Sequence, residues 1–210
     1  MAIIALAELG SIWVGDIPLS PMRWDFVDEN GDIVLIGAFD MWECIVKAPN
    51  GTIIGEQSGE PTGNHLELTF GAPSLATIDG IYEIVFKFFD GGILTAEPFR
   101  FVVQAEDGWL DLQTARNQWA DAPLDDIFLH QILDTAKKQC QKYAPALPAL
   151  QHPPIEYVQA QLIQARAIYQ NVISNNNDTT GLEGFTVRIF PLDYNIRAML
   201  RPKRAIGGMF

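Results

Sequence analysis

The stretch Ile81-Tyr82-Glu83-Ile84-Val85-Phe86-Lys87-Phe88 decides the fold class of the first half of the chain. It is rich in β-branched and aromatic residues, which favour strands. Seven other short stretches before residue 106 share this character, and several of the eight show period-two alternation. These stretches are residues 12–14, 22–26, 33–36, 44–48, 52–54, 66–70 and 99–103.

Turn signals separate these stretches, among them Glu29-Asn30-Gly31-Asp32 and Pro49-Asn50-Gly51. Residues 1–10 are apolar but have no basic flank and are too short to span a membrane, so they are interpreted as a first strand. No helix-period segment of useful length precedes residue 106. Seven or eight short strands within about 100 residues predict an all-β sandwich over residues 1–105.

The period changes in residues 106–210, which are predicted to form a small helical bundle. Asp111 can cap a short helix that ends near Trp119, and Pro123 can begin a second helix with Asp125 and Asp126 in its first turn. Apolar residues with helical spacing then predict one buried face on each of two longer helices. These residues are 129, 132, 133, 136, 140 and 143 on the first of the two, and 155, 158, 162, 165, 169 and 172 on the second.

The last segment of the chain is unlike the rest. An alternating strand over residues 185–190 leads into Pro191, a short amphipathic turn covers residues 192–200, and a basic arm stiffened by Pro202 follows. Such a segment can bury little on its own. It is typical of a part that docks on a neighbour, and the thin helical core also predicts an oligomer.

Charge is distributed unevenly along the chain. Residues 1–105 carry 15 acidic and 4 basic side chains, whereas residues 188–210 carry five Arg or Lys side chains and the single acid Asp193. The acidic first half argues against a nucleic-acid surface there, because phosphate binding depends on Lys and Arg. The basic end fits phosphate or an acidic protein groove, and the apolar residues between its charges favour the groove.

The sequence gives no sign of catalytic or metal chemistry. His65, His130 and His152 do not have zinc-site spacing, and no nucleotide-binding or nucleophile motif is present. Cys44 and Cys140 are interpreted as free thiols packed like small apolar residues in a reducing compartment. We therefore expect a protein that is not an enzyme and uses no cofactor or metal.

A cluster of acids in the first half also lacks the spacing of a calcium-binding loop, and residues 28–32 are better interpreted as a hairpin turn. A catalytic pair of carboxylates would need a defined separation that the sequence does not show. The acids are Asp16, Asp25, Asp28, Glu29, Asp32, Asp40 and Glu43.

The second half resembles the head-to-tail adaptor (connector) proteins of long-tailed bacteriophages. Three segments carry the resemblance: residues 129–145, the helix at 157–173, and the ending Val187-Arg188-Ile189-Phe190-Pro191-Leu192-Asp193 with Met199-Leu200-Arg201-Pro202-Lys203. The Leu-Arg-Pro-Lys ending, which recurs in such proteins of phages that infect actinobacteria, is the most specific of the three. The resemblance covers residues 106–210.

This resemblance implies a structural virion protein at the neck, where the head meets the tail. The family forms a ring, usually of twelve subunits, between the portal protein and a stopper ring, and DNA passes through its lumen without specific binding. It implies no catalytic residue, no cofactor and no membrane contact. The C-terminal arm, residues 200–210, is expected to reach a neighbouring ring or the portal. The candidate contacts to the portal or a neighbouring subunit are Arg188, Arg197, Leu200, Arg201, Pro202, Lys203, Arg204 and Phe210.

Residues 1–105 resemble the immunoglobulin-like sandwich at the N-terminus of some phage baseplate proteins. The resemblance rests on Ile17-Pro18-Leu19, on residues 24–31, on Ala48-Pro49-Asn50-Gly51 and on Asp79-Gly80-Ile81-Tyr82. It implies an alternative function, in which the chain is a baseplate or tail-associated binding module whose sandwich recognises a glycan or receptor on the host surface. The basic arm distinguishes the two, because only an adaptor has a use for it.

Overall fold

The computed structural model describes residues 2–7, 9, 12–16, 21–61, 63–69, 76–148, 151–176 and 192–201. The chain is mixed α and β, with sheets and four helices in these ranges. It divides into two compact units, residues 1–106 and 107–210. The last described strand ends at Gln104 and the first described helix begins at Leu112, so the predicted change of period is confirmed.

The first unit consists of short strands. Within the described residues there are nine: β1 (Ile3–Leu6), β2 (Ile12–Trp13), β3 (Met22–Asp28), β4 (Met41–Lys47), β5 (Ile53–Gly59), β6 (His65–Leu68), β7 (Gly80–Phe89), β8 (Ile93–Thr95) and β9 (Phe99–Gln104). Eight of them coincide with predicted strands. The exception, β8, has only three residues and continues the hairpin that follows β7.

These strands form two sheets. One has the order β1-β3-β6, and the other has the order β2-β9-β7-β4-β5 with β8 also paired to β7. Neighbouring strands are antiparallel except β2 and β9, which are parallel. Alternate side chains of both sheets meet in one core, where rings of Trp24, Phe26, Phe86 and Phe88 pack with centroids 5.0–5.1 Å apart.

The prediction of a strand over residues 33–36 is wrong. Ile33 makes a single bridge to Val27, and a 3-10 turn takes over at Ile36–Ala38. The alternation itself is real, because Val34 is buried while Ile33 and Leu35 are 70% and 59% exposed. The segment is therefore extended and half-buried, but the turn stops it before a second ladder residue can pair.

The second unit is helical within its described residues, with α1 (Leu112–Gln118), α2 (Asp126–Tyr143), α3 (Ile155–Asn176) and α4 (Tyr194–Leu200). Asp111 caps α1 as predicted, and its carboxylate accepts a 2.6 Å hydrogen bond from the Thr114 N–H. The start of α2 was predicted too early, at Pro123. Asp125 is its N-cap rather than a first-turn residue and accepts from the Phe128 N–H at 2.6 Å.

The two long helices differ in how well the sequence predicted their buried faces. The α2 face is confirmed, except that Tyr143 at its end is only partly buried. On α3, Leu162 and Ala165 are buried as predicted, but Ile155 is exposed. Two polar residues of α3, Gln161 and Gln164, are also buried. Among the described residues, no helix has both the length and the apolar character needed to cross a bilayer.

Candidate docking site at the start of the C-terminal arm

Helix α4 places the start of the C-terminal arm. Asp193 caps the helix by accepting a hydrogen bond from the Tyr194 N–H. Ile196 and Leu200 are four residues apart and so lie on one face of the helix, where both are almost completely buried. The arm therefore begins at a residue that is fixed in the core of the helical unit.

The core that receives α4 is built from distant parts of the sequence. Its buried members besides the two α4 residues are Trp109, Cys140, Ala144 and Ala160. The small side chains of Ala144 and Ala160 allow a short helix to approach closely. Trp109, which precedes α1, is buried in this core.

A buried glutamine of α3 links two other segments of the helical unit. The Gln161 side-chain oxygen accepts a 2.9 Å hydrogen bond from the Leu110 N–H, and its nitrogen donates a 3.1 Å hydrogen bond to the Leu133 carbonyl. Gln161 thus joins the segment before α1 to α2, and both ends of its amide are satisfied. Gln164 likewise donates to the Gln139 oxygen at 2.6 Å.

Arg201 lies immediately after α4 and stacks on an aromatic ring. Its guanidinium carbon is 4.8 Å from the centroid of the Tyr143 ring, at the end of α2. The Arg201 N–H also donates a 3.0 Å hydrogen bond to the Arg197 carbonyl, which ends the helix. The first cation of the arm is therefore held in place, while its side chain remains exposed.

Three of the predicted contact residues are described by the structure. Arg197 and Arg201 are exposed, as a docking role requires. Leu200 is fully buried, because its side chain fills the core beneath α4, and it is not available to a partner in this structure. It anchors the arm instead. The other five candidates, Arg188, Pro202, Lys203, Arg204 and Phe210, lie outside the described residues, as does the strand predicted over 185–190.

Tyr143 is the residue that sequence reasoning missed. Its position at the end of an apolar helix face predicts a packing role, and its ring does pack against the core below α4. The stack with Arg201 joins residues 58 positions apart, so spacing alone could not reveal it. The only signal in the sequence is an aromatic residue at the basic end of α2, beside Lys142.

The three histidines lie on three separate segments of the chain. His65 lies in β6, with its Nε2 3.7 Å from a Glu67 carboxylate oxygen, and His130 lies within α2. His152 is exposed and lies beside Gly108. In the part of the chain that the structure describes, no three His, Cys, Asp or Glu side chains are placed to hold a metal ion.

The predicted hairpin turn at residues 28–32 is confirmed. The Asp28 carboxylate accepts hydrogen bonds from the N–H groups of Asn30 and Asp32 at 2.8 and 3.0 Å. These bonds, first the one from Asn30, lower the pKa of Asp28. Gly31 takes the positive φ of 86° that the turn requires. The acid is therefore part of a turn rather than of a cation site.

Both cysteines are buried and free, as predicted. Burial raises the pKa of the Cys140 thiol to about 12. Burial and then the neighbouring Glu43 carboxylate raise the pKa of Cys44 to about 12. Because the thiolate is the reactive form, neither thiol is suited to act as a nucleophile.

No protein-family model matches the chain, and no curated protein sequence matches it.

Proposed function

We propose that the chain is a structural virion protein, a head-to-tail adaptor whose copies form a ring beneath the portal, join capsid to tail and let DNA pass. The observation that carries the proposal is the anchoring of the C-terminal arm. Ile196 and Leu200 fix α4 in the helical core, and Arg201 stacks on Tyr143 at the point where the arm leaves. A docking arm needs such a rigid base, because a loosely attached arm loses binding free energy as entropy.

The charge of the chain supports the same role. Arg197 and Arg201 are exposed beside each other at one end of the helical unit, and Lys203 and Arg204 follow in the sequence. These cations suit an acidic face of the portal or of a neighbouring subunit. The chain as a whole carries a net charge of −12, which disfavours tight binding of passing DNA.

We also infer that the first unit is an immunoglobulin-like sandwich. Its strand order, with a short parallel pairing of β2 on β9, supports this assignment. So does Tyr82 near the start of β7, whose hydroxyl donates a 2.8 Å hydrogen bond to the Ile78 carbonyl. This bond resembles the tyrosine corner of immunoglobulin domains, in which a buried tyrosine bonds back to the preceding loop. In an adaptor, such a unit would project from the ring.

The test is to mix the purified protein with its cognate portal and to image the product by electron microscopy. We expect a second ring stacked on the narrow end of the portal, with small knobs projecting outward. Replacing Lys203 and Arg204 by Ser should weaken stacking. The matched control replaces the exposed Arg23 and Lys138 by Ser and should leave it unchanged.

If the protein does not bind the portal and remains a monomer or trimer, the adaptor role is refuted. The alternative, a baseplate-type binding module, would then be tested by screening host glycans. Equal loss of stacking in the arm variant and in its control would refute the specific role of the arm, because net charge alone would then explain the effect.

A further inference from the structure

One end of the first unit gathers the turn after β3, the start of β4 and the hairpin after β7. The Asp40 N–H donates a 2.8 Å hydrogen bond to the Phe89 carbonyl, and Phe39 and Phe26 both pack on Phe88 with centroids 5.0 and 5.1 Å away. These contacts hold the three connections together. They therefore form one surface.

This surface is acidic. Residues 24–46 and 88–99 contain no Lys or Arg. The described acids at this end are Asp28, Glu29, Asp32, Asp40 and Asp90. Residues 24–46 and 88–99 therefore supply no Lys or Arg that could neutralise these five acids.

The same surface is also apolar. Met41, Phe89 and Ile93 are paired across three neighbouring strands, so their side chains lie in a row on one face of the sheet. Met41 is 41% exposed and Ile93 is 69% exposed. Single exposed apolar residues are ordinary, but several together mark a binding surface. The five acids and these three apolar residues are called the acidic end below.

The chain itself carries a segment with the complementary chemistry. Arg201, Lys203 and Arg204 of the C-terminal arm supply the positive charges, and residues 206, 209 and 210 are Ile, Met and Phe. We propose that the acidic end is the docking site for the C-terminal arm of a second copy of the chain. The inference rests on the proposed function in one respect, the docking role of the arm, and it names the receiving surface.

A contact of this kind is head-to-tail, because it joins two different surfaces of the same chain. Such heterologous contacts generate rings when the rotation between subunits closes. The acids would set the approach and specificity of the arm, and the row of apolar residues would supply the buried area.

The experiment titrates a fluorescent peptide of residues 201–210 against the full chain and follows anisotropy. The chain carries Lys203→Glu and Arg204→Glu, so that its own arm does not compete. We expect saturable binding that Asp32→Lys with Asp40→Lys weakens about tenfold, since two attractive charges become repulsive. Met41→Ser and Ile93→Ser should each weaken it about fivefold through lost apolar contact.

The matched control is Glu56→Lys with Glu67→Lys. It makes the same change in net charge at two exposed acids away from the acidic end, and it should alter binding less than about twofold. Equal weakening by the two pairs, or no binding of the peptide, would overturn the proposal. Circular dichroism of each variant confirms that the exposed substitutions leave the chain folded.

The unaltered chain tests whether the arm comes from a second copy. Sedimentation should show self-association that Asp32→Lys with Asp40→Lys removes. A chain that binds the peptide after its arm is neutralised, yet remains monomeric when unaltered, would overturn the second-copy assignment. A chain that stacks on the portal but never binds the peptide would overturn this inference alone and leave the adaptor proposal standing.

Discussion

The guanidinium of Arg201 lies over the ring of Tyr143, with its central carbon 4.8 Å from the ring centroid. One residue ends α2 and the other follows α4, so the stack joins the ends of these two helices. Leu200, the residue before Arg201, is fully buried. The base of the arm is thus fixed by an apolar anchor and an aromatic platform together.

A double-mutant cycle measures this stack. We expect Tyr143→Leu and Arg201→Ala to show a coupling free energy of about 0.5 to 1 kcal/mol, the range for partly exposed cation–π pairs. Urea unfolding of the four proteins gives the value. A control cycle between Tyr143 and the exposed Arg197 should show no coupling, and equal coupling in both cycles would argue against the stack.

The anchor can be tested with a pair of leucines. Leu200→Ala removes a fully buried side chain and should destabilise the helical unit by about 2 to 4 kcal/mol. Leu124→Ala makes the same chemical change at a side chain that is 91% exposed and should cost less than about 0.5 kcal/mol. Guanidinium unfolding measures both. Similar losses at the two sites would mean that α4 is not packed as described.

Most of the strand pattern could be predicted from the sequence, because period-two alternation reflects one buried face. That reasoning holds for β3, β4 and β7, whose Trp24, Cys44 and Phe86 all reach the core. It fails for residues 33–36, where alternation persists but pairing is limited to the single bridge between Ile33 and Val27. Pairing depends on the neighbouring backbone, which the local sequence does not encode.

The site was less predictable than the fold. Charge identified the basic arm, but the burial of Leu200 depends on Trp109 and Ala160, which are far away in the sequence. Gln161 shows the same limit. A polar residue on an amphipathic helix predicts exposure, whereas its two hydrogen bonds to backbone groups make burial favourable.

Replacing the buried Gln161 should therefore lower the free energy of unfolding. In Gln161→Leu, the Leu110 N–H loses its partner while it remains buried, and we expect a loss of about 1 to 3 kcal/mol. Gln159→Leu changes an exposed residue on the same helix and serves as the control. Thermal unfolding compares the two variants. A Gln161→Leu chain as stable as the control would show that the network contributes nothing net.

The tyrosine hydroxyl in the first unit gives a matching test for the sheets. Tyr82→Phe removes the 2.8 Å bond to the Ile78 carbonyl from a side chain that is almost wholly buried. We expect a loss of about 1 to 2 kcal/mol, the usual effect of a buried hydrogen bond left unmade. Tyr194→Phe, at an exposed residue of α4, should have no measurable effect. If both variants unfold together with the parent protein, the bond does not stabilise the unit.

The buried thiols predict how stability depends on alkaline pH. Both pKa values are raised from the ordinary 9.0 to about 12, so the folded chain keeps these protons where the unfolded chain loses them. Their contribution is complete below pH 9 and declines as the pH rises toward 12. We therefore expect the urea midpoint to fall over this interval, and less steeply in Cys140→Ala.

At pH 8, a thiol reagent should modify Cys44 and Cys140 only after unfolding, whereas a Ser58→Cys variant, with its thiol on an exposed strand position, should react at once. Rapid modification of the native parent chain would mean that the two thiols are not sealed in their cores.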